Sequence, residues 1–133
     1  MSESRRALVL GGTGFFGSRL VEDLLAHTDL DITTVSRRRR GLDTASSRVS
    51  HVVADIRDQA ALREVMRGHG LVLHAAGPFE KMPIAPLDAV IDLGIDYVDI
   101  SENRLFRNTL IERSERIAGS DIRVMNGSRS SRA

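Results

Sequence analysis

The sequence predicts an α/β domain built on a doubly wound parallel sheet with helices on both faces, and three observations carry that prediction. Apolar runs of strand length alternate with amphipathic stretches of helix length, the rhythm of parallel strands joined by helical crossovers. A glycine-rich segment, Gly11-Gly12-Thr13-Gly14-Phe15-Phe16-Gly17, falls between the first such strand and the first such helix. The chain has 133 residues and no cysteine; at that size folding buries roughly 70% of the unfolded surface, so a single core suffices without disulfides or metal.

The expected strands are Arg6 to Leu10, Asp31 to Ser36, Val49 to Ala54, Gly70 to Ala75, Ile95 to Asp99 and Asp121 to Met125. Most are short and rich in Val, Ile or Leu, as strands covered on both faces should be. Between them, Gly14 to His27 carries Phe16, Leu20 and Leu24 four apart with Val21 and Leu25 beside them, one broad apolar helical face. Asp58 to Arg67 reads as a second helix, with Asp58 as N-cap and Gly68 as its stop. Pro83 to Leu93, ended by Gly94, is a third, and the more charged Leu105 to Ala118 a peripheral fourth. The polar stretch Arg37 to Ser50 is expected to be a solvated loop. Residues 1–127 form one domain, and 128–133 a disordered tail without apolar anchors.

Composition narrows the function. A net charge of +1 argues against a nucleic-acid partner, which calls for a concentrated basic excess. No apolar run approaches the length of a membrane span, so a cytoplasmic protein is expected. Without cysteine there is no thiolate metal site and no Cys nucleophile. His27, His51, His69 and His74 are scattered with no metal-ligand spacing, so each reads as structural and no metal is expected.

The glycine segment satisfies GxGxxG and lies where a dinucleotide fingerprint must lie, after a strand and before a helix. Glycines let the chain turn sharply and admit a pyrophosphate against bare backbone, and the helix's free N–H groups then hold it. That context makes the fold Rossmann-like. About 20 residues on, where an NAD binder presents a carboxylate to the ribose, the chain has Ser36-Arg37-Arg38. A hydroxyl and guanidinium groups accept a 2′-phosphate, so NADP is expected over NAD. One charge-assisted hydrogen bond is worth about 1.5–3 kcal/mol. Arg39 and Arg40 read as loop. Val53-Ala54-Asp55-Ile56 brings Asp55 and Ile56 to the carboxyl edge of the sheet. There the Asp55 carboxylate either accepts from the adenine amino group or opens the loop and helps cap the next helix. The small residues of His74-Ala75-Ala76-Gly77-Pro78-Phe79 let backbone approach a cofactor near the topological switch point.

No catalytic constellation follows. Tyr97 is the one tyrosine, Ser101 stands four residues on, and Lys81 is the one lysine, so the Tyr-x-x-x-Lys pair of short-chain dehydrogenases is missing.

Leu8 to Gly17, Ala75-Ala76-Gly77-Pro78-Phe79 and Gly94-Ile95-Asp96-Tyr97-Val98-Asp99-Ile100-Ser101-Glu102 together resemble the N-terminal NADP-binding domain of the saccharopine dehydrogenase-like oxidoreductases. The resemblance implies cofactor contacts at Gly12, Thr13, Gly14, Phe15 and Phe16, adenosine-side contacts at Ser36, Arg37 and Asp55, and nicotinamide-side contacts at Ala76, Gly77, Pro78 and Phe79. It also implies that Tyr97 to Glu102 borders a substrate cleft. Such enzymes carry a second, substrate-binding domain where this chain passes to 128–133. The expectation is therefore a cofactor domain that binds NADP(H) without turnover by itself. Two other readings stand beside it: a dinucleotide-binding sensor similar to the NmrA-like regulators, or a non-binding remnant that forms a homodimer through surface a second domain would cover.

Overall fold

The computed structural model describes residues 5–12, 14–37, 46–75, 85–99, 108, 110–126 and 129–130. Strands β1 (Arg6–Leu10), β2 (Asp31–Ser36), β3 (Val49–Val53), β4 (Leu71–His74), β5 (Asp96–Asp99) and β6 (Val124–Asn126) alternate with helices α1 (Phe15–His27), α2 (Gln59–Met66), α3 (Ala85–Leu93) and α4 (Ser114–Gly119). The strands line up in the order β3-β2-β1-β4-β5-β6, and all five pairings among these six are parallel. This is the doubly wound arrangement, and its order reverses between β1 and β4.

Alternation along β1 sets the two faces of the core. Ala7 and Val9 join Val21, Ile32 and Leu73 on the side covered by α1. Leu8 and Leu10 join Leu62, Met66, Leu87, Val90, Tyr97 and Ile117 on the side covered by α2, α3 and α4. The helix limits follow local chemistry. The Asp58 carboxylate accepts from the Ala61 N–H at 3.2 Å to cap α2, and Gly68, at φ +83°, lets the chain leave it. The expected fourth helix divides. Residues 110–112 are helical, Arg113 departs to φ −101°, ψ 7°, and α4 starts at Ser114. Arg113 is held by Asp88 at 2.6 Å, and Arg116 bridges Asp88 and Asp92 at 3.0 Å each, tying α4 to α3.

Two expectations need correction. Arg48, inside the stretch read as a solvated loop, is half-buried and donates to the carbonyls of Leu25 at 2.5 Å, Thr28 at 2.7 Å and Leu30 at 3.1 Å. A cation is thus placed on the carbonyl end of α1, where orphan acceptors and the negative end of the helix dipole favour it. In the tail expected to be disordered, Arg129 and Ser130 form a two-residue strand, β7 (Arg129–Ser130), antiparallel to β6. Edge backbone groups accept such a pairing without apolar side chains.

Arg48→Ala should lower the unfolding free energy by about 1.5–3 kcal/mol, the worth of a charged hydrogen bond to an acceptor left without its partner. Urea denaturation measures it, and an unchanged midpoint would deny Arg48 its capping role.

Candidate functional site

Between β1 and α1 the chain turns on backbone alone. Gly11 takes φ +78°, its N–H donates to the Val35 carbonyl at 2.9 Å, and its carbonyl accepts from the Gly14 N–H at 3.0 Å. A Cβ on Gly17 would collide with the Gly11 carbonyl, and one on Gly12 would lie 2.6 Å from Thr34 Cγ2. Bare main chain at both positions is what allows α1 to close on the sheet. Among the described residues no side chain caps the N-terminus of α1, and its first turn holds no acidic residue, so the first-turn N–H groups stand at the positive end of the dipole. Such a cradle fits the acceptor oxygens of a pyrophosphate. Phe15 and Phe16 flank it, two-thirds exposed and edge to face at 5.2 Å, with the Arg19 guanidinium 4.5 Å from the Phe15 ring centroid.

Ser36 and Asp55 meet at the same edge, because the Ala54 N–H donates to the Ser36 carbonyl at 3.0 Å. Arg37 follows Ser36 and is exposed. Asp55 is forked by Arg57, with Oδ2 2.9 Å from Nη2 and Oδ1 3.1 Å from Nε, and Oδ1 also accepts the Arg57 N–H at 2.9 Å. That guanidinium holds the carboxyl down at about 2, with a smaller contribution from Arg37. Asp55 does open the loop before α2, its carbonyl accepting from the Asp58 N–H at 3.0 Å and its Oδ1 from the Arg57 N–H, while the side-chain cap of α2 is Asp58. Ile56 is buried among the core residues on the α2 side, and Ala75 leaves β4 with its N–H on the Leu10 carbonyl at 2.9 Å. The glycine loop, Ser36, Arg37, Asp55 and Ala75 all lie at the carboxyl ends of β1 to β4. Thr13, Arg38, Ala76, Gly77, Pro78 and Phe79, together with Lys81 and residues 100–102, lie outside the described residues.

Register brings in groups that sequence spacing did not connect. His74 pairs with Leu10 on one side and Asp99 on the other, and its ring stands 6.4 Å from that of Tyr97. All four are buried. Burial holds the His74 imidazole down at about 4 and pushes the Tyr97 phenol well above its usual range, with the Asp99 carboxylate adding to the rise. Tyr97 is therefore a core residue, in contrast to the expected border of a substrate cleft. His69 is buried against Thr33, Nε2 to Oγ1 3.0 Å. His51, read as structural, reaches across to β2, where Nδ1 is 2.6 Å from Thr34 Oγ1 and Nε2 3.1 Å from Ser36 Oγ. The signal for it was the parallel register Thr34 to His51, which no single-strand pattern reveals. No cluster of three His, Asp or Glu suited to a metal occurs among the described residues, and no helix there is long and apolar enough to cross a membrane.

A Rossmann-like sheet with an uncapped helix end at its switch point defines a dinucleotide-binding domain. The comparisons agree: the family described as "Saccharopine dehydrogenase NADP binding domain" matches residues 7–125, and the chain belongs to that family. Among curated relatives, the L-arabinose 1-dehydrogenase (NAD(P)(+)) of Haloferax volcanii is 38% identical over 91 residues, covering 68% of this chain and 32% of that protein. An N-acetyl-gamma-glutamyl-phosphate reductase of Bifidobacterium longum is 28% identical over 95 residues, covering 67% of this chain and 26% of its own. The chain thus spans a third or less of these relatives. Among solved structures, the apo saccharopine dehydrogenase (L-Glu forming) of Saccharomyces cerevisiae superposes with a TM-score of 0.68 at 22% identity, over 93% of this chain and 27% of that one. A short-chain dehydrogenase/reductase of Veillonella parvula in complex with NADP gives 0.67 at 15% identity, over 92% and 67%.

Two outcomes follow. Gly17→Ala should destabilise the fold by about 1–3 kcal/mol, the cost of overpacking, read from a melting curve; an unchanged curve would mean that α1 does not need this close approach. His74 takes up a proton only near pH 4 when folded, against 6.5 as its ordinary value. The unfolded chain therefore binds the extra proton between those values. Stability present above pH 6.5 is lost as the pH falls towards 4, by about 3 kcal/mol. Urea titrations across that window should show a steeper loss in the natural chain than in His74→Phe.

Proposed function

We propose that this chain binds NADP(H) in preference to NAD(H), as the cofactor half of a cytoplasmic oxidoreductase of the saccharopine dehydrogenase-like kind. The observation that carries the reading is the uncapped N-terminus of α1 set behind bare glycine backbone at the switch point of the sheet. When bound, the nicotinamide would supply a hydride acceptor or donor. This chain's own residues do the holding. The N–H groups of the first turn of α1, from Phe15 to Gly17, take the pyrophosphate, with Gly11, Gly12, Thr13 and Gly14 leaving room for it. The Ser36 hydroxyl and the Arg37 and Arg38 guanidinium groups take the 2′-phosphate. Asp55 does not oppose that phosphate, because Arg57 balances its charge at 2.9 Å. The adenine lies along Asp55 and Ile56, and the nicotinamide side along Ala75, Ala76, Gly77, Pro78 and Phe79.

Substrate turnover is expected to need groups beyond this cofactor half. The one tyrosine, Tyr97, is closed inside the core, where its phenol cannot reach a substrate carbonyl or hydroxyl, and the Tyr-x-x-x-Lys pair is missing from the sequence.

The test is a calorimetric titration with NADP, NADPH, NAD and NADH at low and moderate salt. Binding should favour the phosphorylated pair and weaken with salt. Arg37→Asp should cost that preference about tenfold or more, since it removes one charged contact of about 1.5–3 kcal/mol and sets a like charge against the phosphate. Equal affinity for all four, or a preference unmoved in Arg37→Asp, would refute the 2′-phosphate reading; no binding of any would refute the cofactor site.

A further inference from the structure

The carboxyl edge of the sheet holds a carboxylate where a phosphate-selecting site has least use for one. Asp55 follows β3, and β3 is the hydrogen-bonded neighbour of β2, at whose end Ser36 and Arg37 stand. Adjacent strands run about 4.8 Å apart. Asp55 is thus one strand away from the position at which dinucleotide folds tell a ribose 2′-hydroxyl from a 2′-phosphate. A bare carboxylate there would accept from the hydroxyl and repel the phosphate.

This carboxylate is not bare. The Arg57 guanidinium forks it, with Nη2 2.9 Å from Oδ2 and Nε 3.1 Å from Oδ1 and 3.3 Å from Oδ2, and the Arg57 backbone N–H donates to Oδ1 at 2.9 Å. The two kinds of contact have separate effects. The backbone bond closes a local turn and fixes where the carboxylate stands, whereas the guanidinium supplies its counter-charge. Removing the Arg57 side chain therefore uncovers the carboxylate without releasing it. The two side chains are 57% and 40% exposed, and exposed pairs add little to stability, so the fork acts mainly on the local field. The charge of Arg37 also bears on Asp55, so one field covers all three residues. Their formal charges leave one positive charge over while Arg57 is present, and none without it.

Resting on the NADP(H) reading above, we propose that Arg57 is a specificity-determining positioning residue: it holds and neutralises the Asp55 carboxylate, and without it this edge turns towards the unphosphorylated dinucleotide. It acts through Asp55, so its effect falls on the ratio of affinities for NADP and NAD and not on the contacts that the two share.

The experiment measures dissociation constants for NADP and NAD by calorimetry, with a melting curve for each variant. The natural chain should favour NADP. Arg57→Gln should shrink that preference about three- to tenfold, the order of one unit charge acting on a phosphate across a solvated gap, with the melting curve little changed. Arg57→Lys keeps the charge and should retain most of the preference. Asp55→Asn added to Arg57→Gln should restore it, because the same net charge then stands at the edge. By carbon NMR at about pH 4.5, the Asp55 carboxyl should be ionised in the natural chain, where it is held down at about 2, and part-protonated in Arg57→Gln. A preference unmoved in Arg57→Gln, or an Asp55 carboxyl that titrates alike in both chains, would overturn the role of Arg57 while leaving the cofactor site standing. A preference lost in Arg57→Gln and not restored by Asp55→Asn would overturn it too, by making Arg57 a direct phosphate contact. A natural chain that binds both dinucleotides without preference would overturn the NADP(H) reading as well.

Discussion

The rest of the structure depends on how closely α1 approaches the end of β1. β1 is the central strand, with Ala7 to Leu10 fully buried, and its two faces seed both layers of the core. α1 can cover its layer only if the chain reverses within a few residues and Gly17 passes directly beside the Gly11 carbonyl. The energy for that approach comes from apolar burial, with Val21 sealed against Val9, Ile32 and Leu73 at about 1.5–3 kcal/mol for each large side chain removed from water. The polar end of the helix takes no part in the packing. Its N–H groups stay outside the core, at the one place where the strand order reverses and the crossovers leave a crevice. The site is thus a by-product of packing: burying one face of α1 aims the other end at a ligand.

Charges are used in two ways around this frame. On the outer helices, Arg63, Arg113 and Arg116 interlock with Asp88 and Asp92, exposed or half-exposed pairs worth about 0–1 kcal/mol each. Their work is to orient α2 and α4 on α3. Along the carboxyl edge the arrangement is different. Asp55 is occupied by Arg57, so the carboxylate at that edge is neutralised locally, with exposed Arg37 contributing to the same field. Arg48, at the opposite end of α1 from the glycines, is spent on the helix's last carbonyls. One arginine-rich stretch thus contains residues with unrelated duties, and only their neighbours tell them apart.

The fold class, the six parallel strands and the glycine loop were legible in the sequence because each is written locally. A strand covered on both faces must be an apolar run, a βα turn without room for side chains must be glycine, and Asp58 and Gly68 mark the limits of α2 by their own backbone chemistry. Element ends were read less well where the deciding partner is distant. The break at Arg113 accompanies a contact with Asp88 in another helix, and the pairing of Arg129 and Ser130 uses the open edge of β6 and no apolar signal of their own.

By itself, then, the sequence determined a dinucleotide-binding α/β domain and the loop that would hold the phosphates, since periodicity and glycine placement are properties of consecutive residues. Only the tertiary structure decided which side chains share a neighbourhood. Parallel register set His51 against Thr34 and Ser36, and His74 between Leu10 and Asp99. Sheet packing took Tyr97 from a cleft into the core. The physical reason is that strands adjacent in a parallel sheet are separated in sequence by whole crossovers, so contacts between them depend on register and burial, which no short window of residues contains.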